Sequence, residues 1–556
     1  MFLENINIVG FRGINRLSLA LEDNNLLIGE NAWGKSSLLD ALTLLLTPGD
    51  TLYRFTLHDF HFPPGNQHER EHHVQIVFTF CESELDERLM SPYQALLPFW
   101  RRGERALYRL RWCITGEWQP GSPVTTLRDF IDDSNAVIAH ECAEHAGVAL
   151  VRLQPVLRLR DARFTRRGRA DADEAYKNIP DMRAFAGQLE NLTRELITRP
   201  QNLTDHALQE GLKTMQQLLA HYFSLQQPEQ SVLNGRMTPQ ARELNQGWQH
   251  LNTLNQLIAD ADSRSRQLIL LRMFTLLARA RGETALDPNA RPLLLVEDPE
   301  TRLHPIMLSV AWGLLTLLPI QKVITTNSAE LLSQVPVEQV CRLVRESQRV
   351  ASWRIGPGGM SAEDSRRIAF HIRFSRPSSL FARCWLLVEG ETEVWVMNEL
   401  ARQCGYHFEA EGIKVIEFAQ SGLRPLLKFA QRMGIEWHVL TDGDDAGKKY
   451  AATARSMLNH LSEDESLHLT MLPALDMEHF LYKHGFSNVY HRMAQLPAGV
   501  PMNLRRIIAK AIQRSSKPEL AIAVALEAAQ RGTESIPSVM RNMFKRVLEL
   551  ARGQAD

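Results

Sequence analysis

The 556-residue sequence has few cysteines and no excess of charge of one sign. The cysteines form no Cys-x-x-Cys pair, which argues against a zinc ribbon or a disulfide framework and favours a reducing compartment; they are Cys81, Cys113, Cys142, Cys341, Cys384 and Cys404. With 63 Lys and Arg against 64 Asp and Glu, the formal net charge is −1. Any nucleic-acid partner would therefore be bound by local basic patches.

Long hydrophobic runs are missing as well. The longest apolar stretch, Ile306 to Ile320, is interrupted by Ser309, Gly313 and Thr316, and it is too short to span a bilayer. The first residues, MFLENINIVGFRG, are polar and acidic early and contain no apolar segment typical of a signal peptide. We therefore expect a cytoplasmic protein that does not enter a membrane.

The patterns that are present predict an α/β protein with several domains. Strand-like segments fall within residues 1–30, 74–80 and 107–114, and strand and helix alternate again between 292 and 326. A second alternating block begins at Cys384 and includes strands at 414–418 and 437–442. A polar helical pattern covers about 171–230, the chain beyond about 500 is helical and basic, and the basic stretch 366–379 is interpreted as a linker.

The segment GENAWGKS matches the P-loop pattern G-x4-G-K-[ST] and stands between a predicted strand and a predicted helix. Inward-facing backbone N–H groups and the helix N-terminus would bind phosphate, Lys35 would reach the β- and γ-phosphates of ATP, and Ser36 would ligate its Mg²⁺. The alternative is a chance glycine-rich turn. The predicted nucleotide-binding residues of this loop are Gly29, Asn31, Gly34, Lys35, Ser36 and Ser37.

An apolar strand that ends in acids supplies a second part of the same site. In LLLVEDPETRLHP (293–305), Glu297 would bind the Mg²⁺ of the nucleotide and Asp298 would polarise the attacking water. Taken alone, the segment is equally compatible with a strand that ends in a solvated acidic turn. Together with the P-loop it favours an ATPase.

These two motifs, with FRGI near the start, resemble the ABC/SMC-type ATPase domain. Three positions depart from that family's pattern. Glu297-Asp298 replaces Asp-Glu, Asn245 replaces the serine of the signature motif in LNQGWQ (244–249, with Gly247 retained), and Asn327 stands where the switch histidine is usual. The resemblance implies ATP binding, and the departures suggest slow turnover or ATP acting as a conformational ligand.

A second group of acids lies in the later alternating block. Glu389 ends a predicted strand and Glu393 opens the following helix, while Asp442 and Asp444 follow another strand and Glu478 comes later. Carboxylates that converge at strand ends raise one another's pKa unless divalent cations offset their charge, and Mg²⁺ or Mn²⁺ suits such oxygens. Two metals would support an in-line displacement at phosphate. The alternative is two unrelated acidic turns.

The pattern Glu-Gly-x-x-Glu followed by Asp-Gly-Asp resembles the Toprim domain. An N-terminal ATPase followed by Toprim is the arrangement of the OLD (overcoming lysogenization defect) family of ATP-dependent nucleases. The resemblance implies a DNA endonuclease with two Mg²⁺ or Mn²⁺ ions at the Toprim site and one with ATP, a homodimer, and a basic residue, best matched by Lys517, near the scissile phosphate. A solvated lysine near a helix start is the alternative for Lys517. Family members with and without a helicase partner exist, and the sequence does not distinguish them.

The resemblance also divides the chain. The predicted limits are an ATPase N-terminal lobe at 1–150, a helical insertion and dimerisation arm at 151–235, an ATPase C-terminal lobe at 236–375, a Toprim nuclease domain at 380–500, and a C-terminal helical region at 501–556. A rival hypothesis keeps the ATPase and treats the chain as an ATP-gated DNA-binding clamp with an inactive Toprim domain.

Two weaker signals have ordinary explanations. The arginine run from Arg158 to Arg169 could follow phosphates, although a solvated loop is favoured. The histidines between His58 and His73 match no zinc-ligand spacing, so loop histidines are favoured. Trp33, inside the P-loop, would either stack on a base or cover the site.

Overall fold

The computed structural model describes most of the chain outside its middle third. The described residues are 1–31, 33–47, 51–62, 71–103, 106–159, 289–301, 308, 312, 320–356, 358–458, 464–496 and 502–553. The predicted helical arm beyond residue 159, the signature-like motif with Asn245 and Gly247, and the predicted helix within 306–318 lie almost wholly outside them.

The chain divides into two compact units, one comprising Met1–Leu331 with Gln348–Ser352 and the other Leu332–Ser347 with Trp353–Asp556. The strands of the first unit are β1 (Phe2–Phe11), β2 (Ile14–Ala20), β3 (Asn24–Ile28), β4 (His73–Cys81), β5 (Arg101–Arg102), β6 (Tyr108–Glu117), β7 (Thr125–Ile131), β8 (Val156–Leu159), β9 (Leu293–Glu297) and β10 (Lys322–Thr325). Its longer helices are α1 (Lys35–Leu45) and α2 (Ala143–Leu153).

Two kinds of strand pairing occur in this unit. β2, β1, β4, β6 and β7 pair antiparallel in that order, whereas β3, β10, β9 and β8 pair parallel in that order. Leu26, Leu27 and Ile28 of β3 have no solvent exposure. Such uninterrupted apolar strands are typical of parallel sheets that are covered on both faces. The predicted strands at 74–80 and 107–114 are confirmed as β4 and β6.

The second unit contains β11 (Val340–Arg345) and a four-stranded parallel sheet. That sheet has the order β14 (Ile413–Glu417), β13 (Cys384–Val388), β15 (Glu436–Thr441) and β16 (Leu469–Met471); β12 (Val350–Trp353) crosses the division between the units. The helices that follow α2 are α3 (Ala329–Gln334), which also crosses it, α4 (Ala362–Ile368), α5 (Glu391–Gln403), α6 (Leu423–Arg432), α7 (Asp445–Arg455), α8 (Glu465–His468), α9 (Met477–Leu481), α10 (Ser487–Met493), α11 (Leu504–Arg514), α12 (Lys517–Arg531) and α13 (Ser538–Gly553).

The sheet order places β13 between β14 and β15, although β13 comes first in sequence. The chain therefore leaves β13 on one side through α5 and later returns on the other side as β15. In parallel α/β sheets, such a reversal opens a crevice at the carboxyl ends of the two strands, where ligands commonly bind. Glu389 and Asp442 immediately follow the two strands that border this crevice.

The segment 366–379, predicted as a linker, is helical instead. Ser361 caps α4 by accepting a hydrogen bond from the Asp364 N–H at 3.1 Å. A π-helical turn, Ala369–Phe374, continues α4, and a 3₁₀ turn, Pro377–Phe381, leads into β13. The cap and the acidic first turn stabilise a helix start that the basic composition of the segment obscures.

The C-terminal helices predicted beyond residue 500 are confirmed as α11, α12 and α13. Their apolar faces, which include Ile508, Val524 and Phe544, share one core with α5 and β13. The shared core explains why the Toprim sheet and these helices form a single unit. Within the described residues, no helix combines the length and apolar character that a membrane crossing requires.

Candidate functional site

The P-loop connects β3 to α1 and depends on two glycines. Gly29 has φ +153° and Gly34 has φ +90°, conformations that favour glycine. A Cβ at Gly34 would lie 2.9 Å from Ile14 Cγ1, so the loop is also closely packed there. The prediction of a strand, a glycine turn and a helix at this place is confirmed.

Lys35 is buried, with 4% of its surface exposed, and its side chain folds back over the loop. Its Nζ donates to Gly29 O at 2.5 Å and to Asn327 Oδ1 at 2.7 Å. Burial lowers the pKa of Lys35, and the charges of Asp298, Glu300 and Glu30 only partly oppose that effect. The ammonium group is thus held by neutral oxygens that a phosphate could replace.

The other predicted loop residues occupy different positions. Ser36 is exposed in the first turn of α1. Ser37 Oγ accepts a hydrogen bond from Gly13 N at 3.2 Å, and Asn31 Oδ1 accepts one from Asn327 Nδ2 at 3.5 Å. Asn327 therefore contacts both the P-loop and Lys35, in the place where the sequence predicts a switch residue.

The two acids assigned to Mg²⁺ and to water activation already have partners. Arg158 Nη2 lies 2.8 Å from Glu297 Oε2, and its Nη1 lies 2.5 Å from Asp40 Oδ1. Asp298 has φ +42°, and its Oδ1 accepts a hydrogen bond from the Thr325 hydroxyl at 3.1 Å. The alternative of a solvated loop is wrong for Arg158, because its guanidinium is buried between two carboxylates. The rest of the arginine run, up to Arg169, lies outside the described residues.

Glu300 has a role that the sequence analysis does not assign. Its carboxylate accepts the Asn327 N–H at 2.6 Å and the Thr326 hydroxyl at 2.9 Å. Burial raises the pKa of Glu300 despite these hydrogen bonds. Glu300 fixes the segment that carries Asn327 and so positions the amide oxygen that holds Lys35. In the sequence, the only local indication of this role is the position of Pro299-Glu300 directly after Glu297 and Asp298.

In the second unit, six carboxylates near the carboxyl ends of β13 and β15 influence one another's pKa. Burial first, and then the charge of four other carboxylates, raises the pKa of Asp442 from the ordinary 3.8 to about 8; the four are Glu389, Glu393, Asp476 and Glu478. The pKa of Glu389 is raised by burial and then by Asp444 and Glu393, while Lys517 opposes the shift. The structure therefore brings together all the acids predicted from sequence, and it adds Asp476.

Two of these acids also cap helices. Asp444 Oδ1 accepts the Gly447 N–H at 2.6 Å at the start of α7, and Asp476 Oδ1 accepts the His479 N–H at 2.7 Å at the start of α9. Side-chain caps satisfy N–H groups that otherwise lack partners in the first helical turn. The N-cap pattern at Asp476 is the sequence signal that could have identified this residue.

Lys517 and Glu478 form an ion pair at the start of α12, with 2.9 Å between Nζ and Oε1. Burial lowers the pKa of Lys517, but the hydrogen bond to Glu478 and the charges of Glu478, Glu393 and Asp476 outweigh that effect and raise it. Lys517 thus contributes a positive charge to the carboxylate cluster. Its exposed side chain agrees with the solvated alternative as well.

Close backbone packing fixes the loop that carries Asp442. Gly443 N donates to Ala474 O at 2.9 Å, and a Cβ at Gly443 would lie 2.3 Å from the same oxygen. A Cβ at Gly447 would lie 2.0 Å from Asp442 O. The glycines of DGDDAG therefore allow this loop to approach the segment before Asp476.

The cluster fits divalent metal ions by its chemistry. All its donors are carboxylate oxygens, the class that Mg²⁺ and Mn²⁺ prefer, and their mutual repulsion is the cost that a bound cation would remove. Among the described residues, no three Asp, Glu, His or Cys side chains are already arranged closely enough to hold a metal ion. Metal binding would therefore draw these side chains closer together.

The fold and the two clusters define a P-loop α/β protein that carries a Toprim domain. Residues 1–379 match the family described as "Protein of unknown function (DUF2813)", and residues 380–444 match "Overcoming lysogenization defect protein-like, TOPRIM domain". The chain belongs to the DUF2813 family. The family resemblance and the fold class predicted from the motifs are confirmed.

The chain is also similar to two curated relatives and, loosely, to a solved structure. The chain is 60% identical to "Uncharacterized protein YbjD" of Escherichia coli (strain K12) over the full length of both. It is 29% identical to "Old nuclease" of Escherichia phage P2 over 191 residues, 33% of this chain and 32% of that protein. The "SMC head domain from Thermotoga maritima" aligns with 64% of this chain and 100% of its own at 9% identity and a TM-score of 0.29, a superposition too loose to define the fold by itself.

Proposed function

We propose that this protein is a divalent-metal-dependent DNA endonuclease whose Toprim domain cuts phosphodiester bonds. The observation that carries the proposal is the gathering of carboxylates at the crevice between β13 and β15, where burial and then the charges of these neighbours raise the pKa of Asp442 to about 8. A bound pair of divalent ions would supply an activated water and stabilise the leaving oxygen. Glu389, Glu393, Asp442, Asp444 and Glu478 would hold these ions, Asp476 lies beside them, and Lys517 would face the substrate phosphate.

A plasmid-nicking assay with Mn²⁺ or Mg²⁺ tests this function. Because loss of a mere partner of a metal ligand costs about 10- to 100-fold in metal affinity or activity, we expect Asp442→Asn to lose about 100-fold or more. Asp445→Asn is the matched control, since Asp445 is in the same loop, is exposed and pairs with Lys448. Cleavage by wild type and the control but not by Asp442→Asn supports the proposal. Absence of cutting by wild type across metals and salt concentrations favours the DNA-binding clamp with an inactive Toprim domain.

We also propose that the first unit binds ATP with one Mg²⁺ and uses it chiefly as a conformational ligand. The support is that Arg158 holds Glu297 and that Thr325 holds Asp298, so neither acid is free for rapid hydrolysis. ATP binding would replace the contacts of Lys35 with Gly29 and Asn327. Slow ATP turnover, measured by phosphate release alongside tight nucleotide binding, is the expected result. Homodimerisation through the 151–235 arm is part of the same proposal.

A further inference from the structure

One exposed surface of the second unit combines aromatic rings with arginines. On the π-helical turn, Phe370 and Phe374 are 64% and 58% exposed, large values for phenylalanine side chains. They are four residues apart, so both lie on the same face of the turn. The Arg373 guanidinium carbon lies 4.4 Å from the centroid of the Phe374 ring. Exposed rings next to cations indicate a binding surface.

The charge around these rings is mainly positive. Arg366 is exposed in α4 and Arg424 is exposed in α6, and neither forms an ion pair with any residue that the structure describes. Arg367 Nη1 lies 3.9 Å from the position of a Cβ at Gly422, which brings the end of α4 close to the start of α6. Arg367 itself is paired with Glu363. The surface therefore combines two exposed rings with two arginines, Arg366 and Arg424, that form no ion pair among the described residues, although Arg366 Nε donates to Ala362 O at 3.3 Å.

This surface lies near the carboxylate cluster. His371, between the two phenylalanines, is buried, and its Nε2 lies 2.7 Å from Glu417 O at the carboxyl end of β14. Two residues further along, Ala419 N donates to Glu389 O at 3.1 Å. The π-helical turn is thus hydrogen-bonded to the carboxyl end of the sheet, where Glu389 lies. Short π-helical turns are frequent at functional sites.

We propose that Phe370, Phe374, Arg366, Arg373 and Arg424 form a platform for single-stranded nucleic acid next to the Toprim crevice. Unpaired bases stack on the two rings, and the arginines bind the adjoining phosphates. A duplex keeps its bases stacked inside and cannot use the rings, so the platform selects unpaired nucleotides. The role of this platform in choosing a nuclease substrate rests on the proposed function, whereas its binding of single-stranded nucleic acid does not.

The test is the binding of a fluorescent oligothymidylate, measured by anisotropy in EDTA so that metal-dependent cleavage plays no part. Since stacking one base on an aromatic ring changes affinity by roughly 5- to 150-fold, we expect Phe370→Ala and Phe374→Ala each to weaken binding by about tenfold. Phe374→Trp retains affinity because a ring remains. Leu526→Ala is the matched control, since Leu526 is an apolar side chain of similar exposure, 60%, that belongs to a different helix, α12.

The arginines have a separate readout. For single strands, each phosphate contact contributes about −0.7 to the slope of log affinity against log salt, so Arg424→Gln should flatten the slope by about that amount. Equal binding by wild type and both alanine variants overturns the proposal, and so does tighter binding of duplex than of single strand. If the alanine variants bind the oligonucleotide normally but sediment as a smaller species than wild type, the proposal is also overturned, and the rings are instead a contact between copies of the chain. Nicking activity is scored separately, so failure of either proposal is recognised by itself.

Discussion

Replacing Asp442 by asparagine should stabilise the metal-free protein at alkaline pH. The pKa of Asp442 is raised from 3.8 to about 8 by burial and by neighbouring carboxylates. Because the folded state holds this proton more tightly than the unfolded state, stability from this group falls as pH rises from about 4 through 8. At 1.36 kcal/mol for each pKa unit, the upper limit is about 6 kcal/mol. Asp442 is partly exposed, and solvent screening reduces the expected effect to about 1–3 kcal/mol.

Thermal unfolding in EDTA measures this effect. For a domain of about 200 residues, 1 kcal/mol shifts Tm by about 2–4 °C, so Asp442→Asn should raise Tm by about 2–12 °C at pH 8.5 and very little at pH 4.5. Saturating Mn²⁺ should reverse the order, because the cation stabilises wild type and has lost a ligand in the variant. The reasoning is refuted if Asp442→Asn lowers Tm in EDTA at pH 8.5, or if Mn²⁺ stabilises both proteins equally.

Three other substitutions give distinct outcomes. Lys35→Ala should weaken ATP binding by about 100-fold or more, because a charge-assisted phosphate contact is lost. The same variant should retain detectable Mn²⁺-dependent nicking. Unchanged nucleotide affinity in calorimetry would contradict the P-loop assignment. Arg158→Gln should lower stability by about 2–3 kcal/mol because it removes a buried guanidinium that pairs with both Asp40 and Glu297. Adding Glu297→Gln should restore part of that loss in denaturant titrations, whereas additive effects would argue against the ion pair. Gly447→Ala should reduce both nicking and Tm, since its Cβ would lie 2.0 Å from Asp442 O, whereas Gly553→Ala, with no atom within 4 Å, should leave both unchanged.

The sequence predicts those parts of the fold that local patterns specify. The P-loop glycines, the apolar strands β9 and β13, and the helix after Lys35 follow from hydrophobic periodicity and turn chemistry over about ten residues. The order of β13, β14 and β15 follows from no such pattern, because it depends on which side of the sheet each helix covers. The meeting of Glu389 with Asp442 was expected from their positions after two apolar strands and from the motif resemblance.

The partners of individual site residues could not be predicted from local sequence. Arg158 and Glu297 are 139 positions apart, and their pairing depends on β8 and β9 lying side by side. The basic residues and Pro377 of this segment favour a linker and obscure the helix at 362–368, although Ser361 is a recognisable cap. Local sequence does not distinguish Asp476 from other helix-capping residues. Only the folded chain shows that the charge of Asp476 raises the pKa of Asp442.

The capping roles of Asp444 and Asp476 affect which ion the Toprim crevice would select. In each carboxylate, Oδ1 accepts a helix N–H, so Oδ2 is the oxygen better placed to approach a cation. One-oxygen ligation suits the compact octahedral shell of Mg²⁺, whereas the larger Ca²⁺ commonly takes both oxygens of a carboxylate. The two capping hydrogen bonds would therefore favour Mg²⁺ over Ca²⁺ at this crevice.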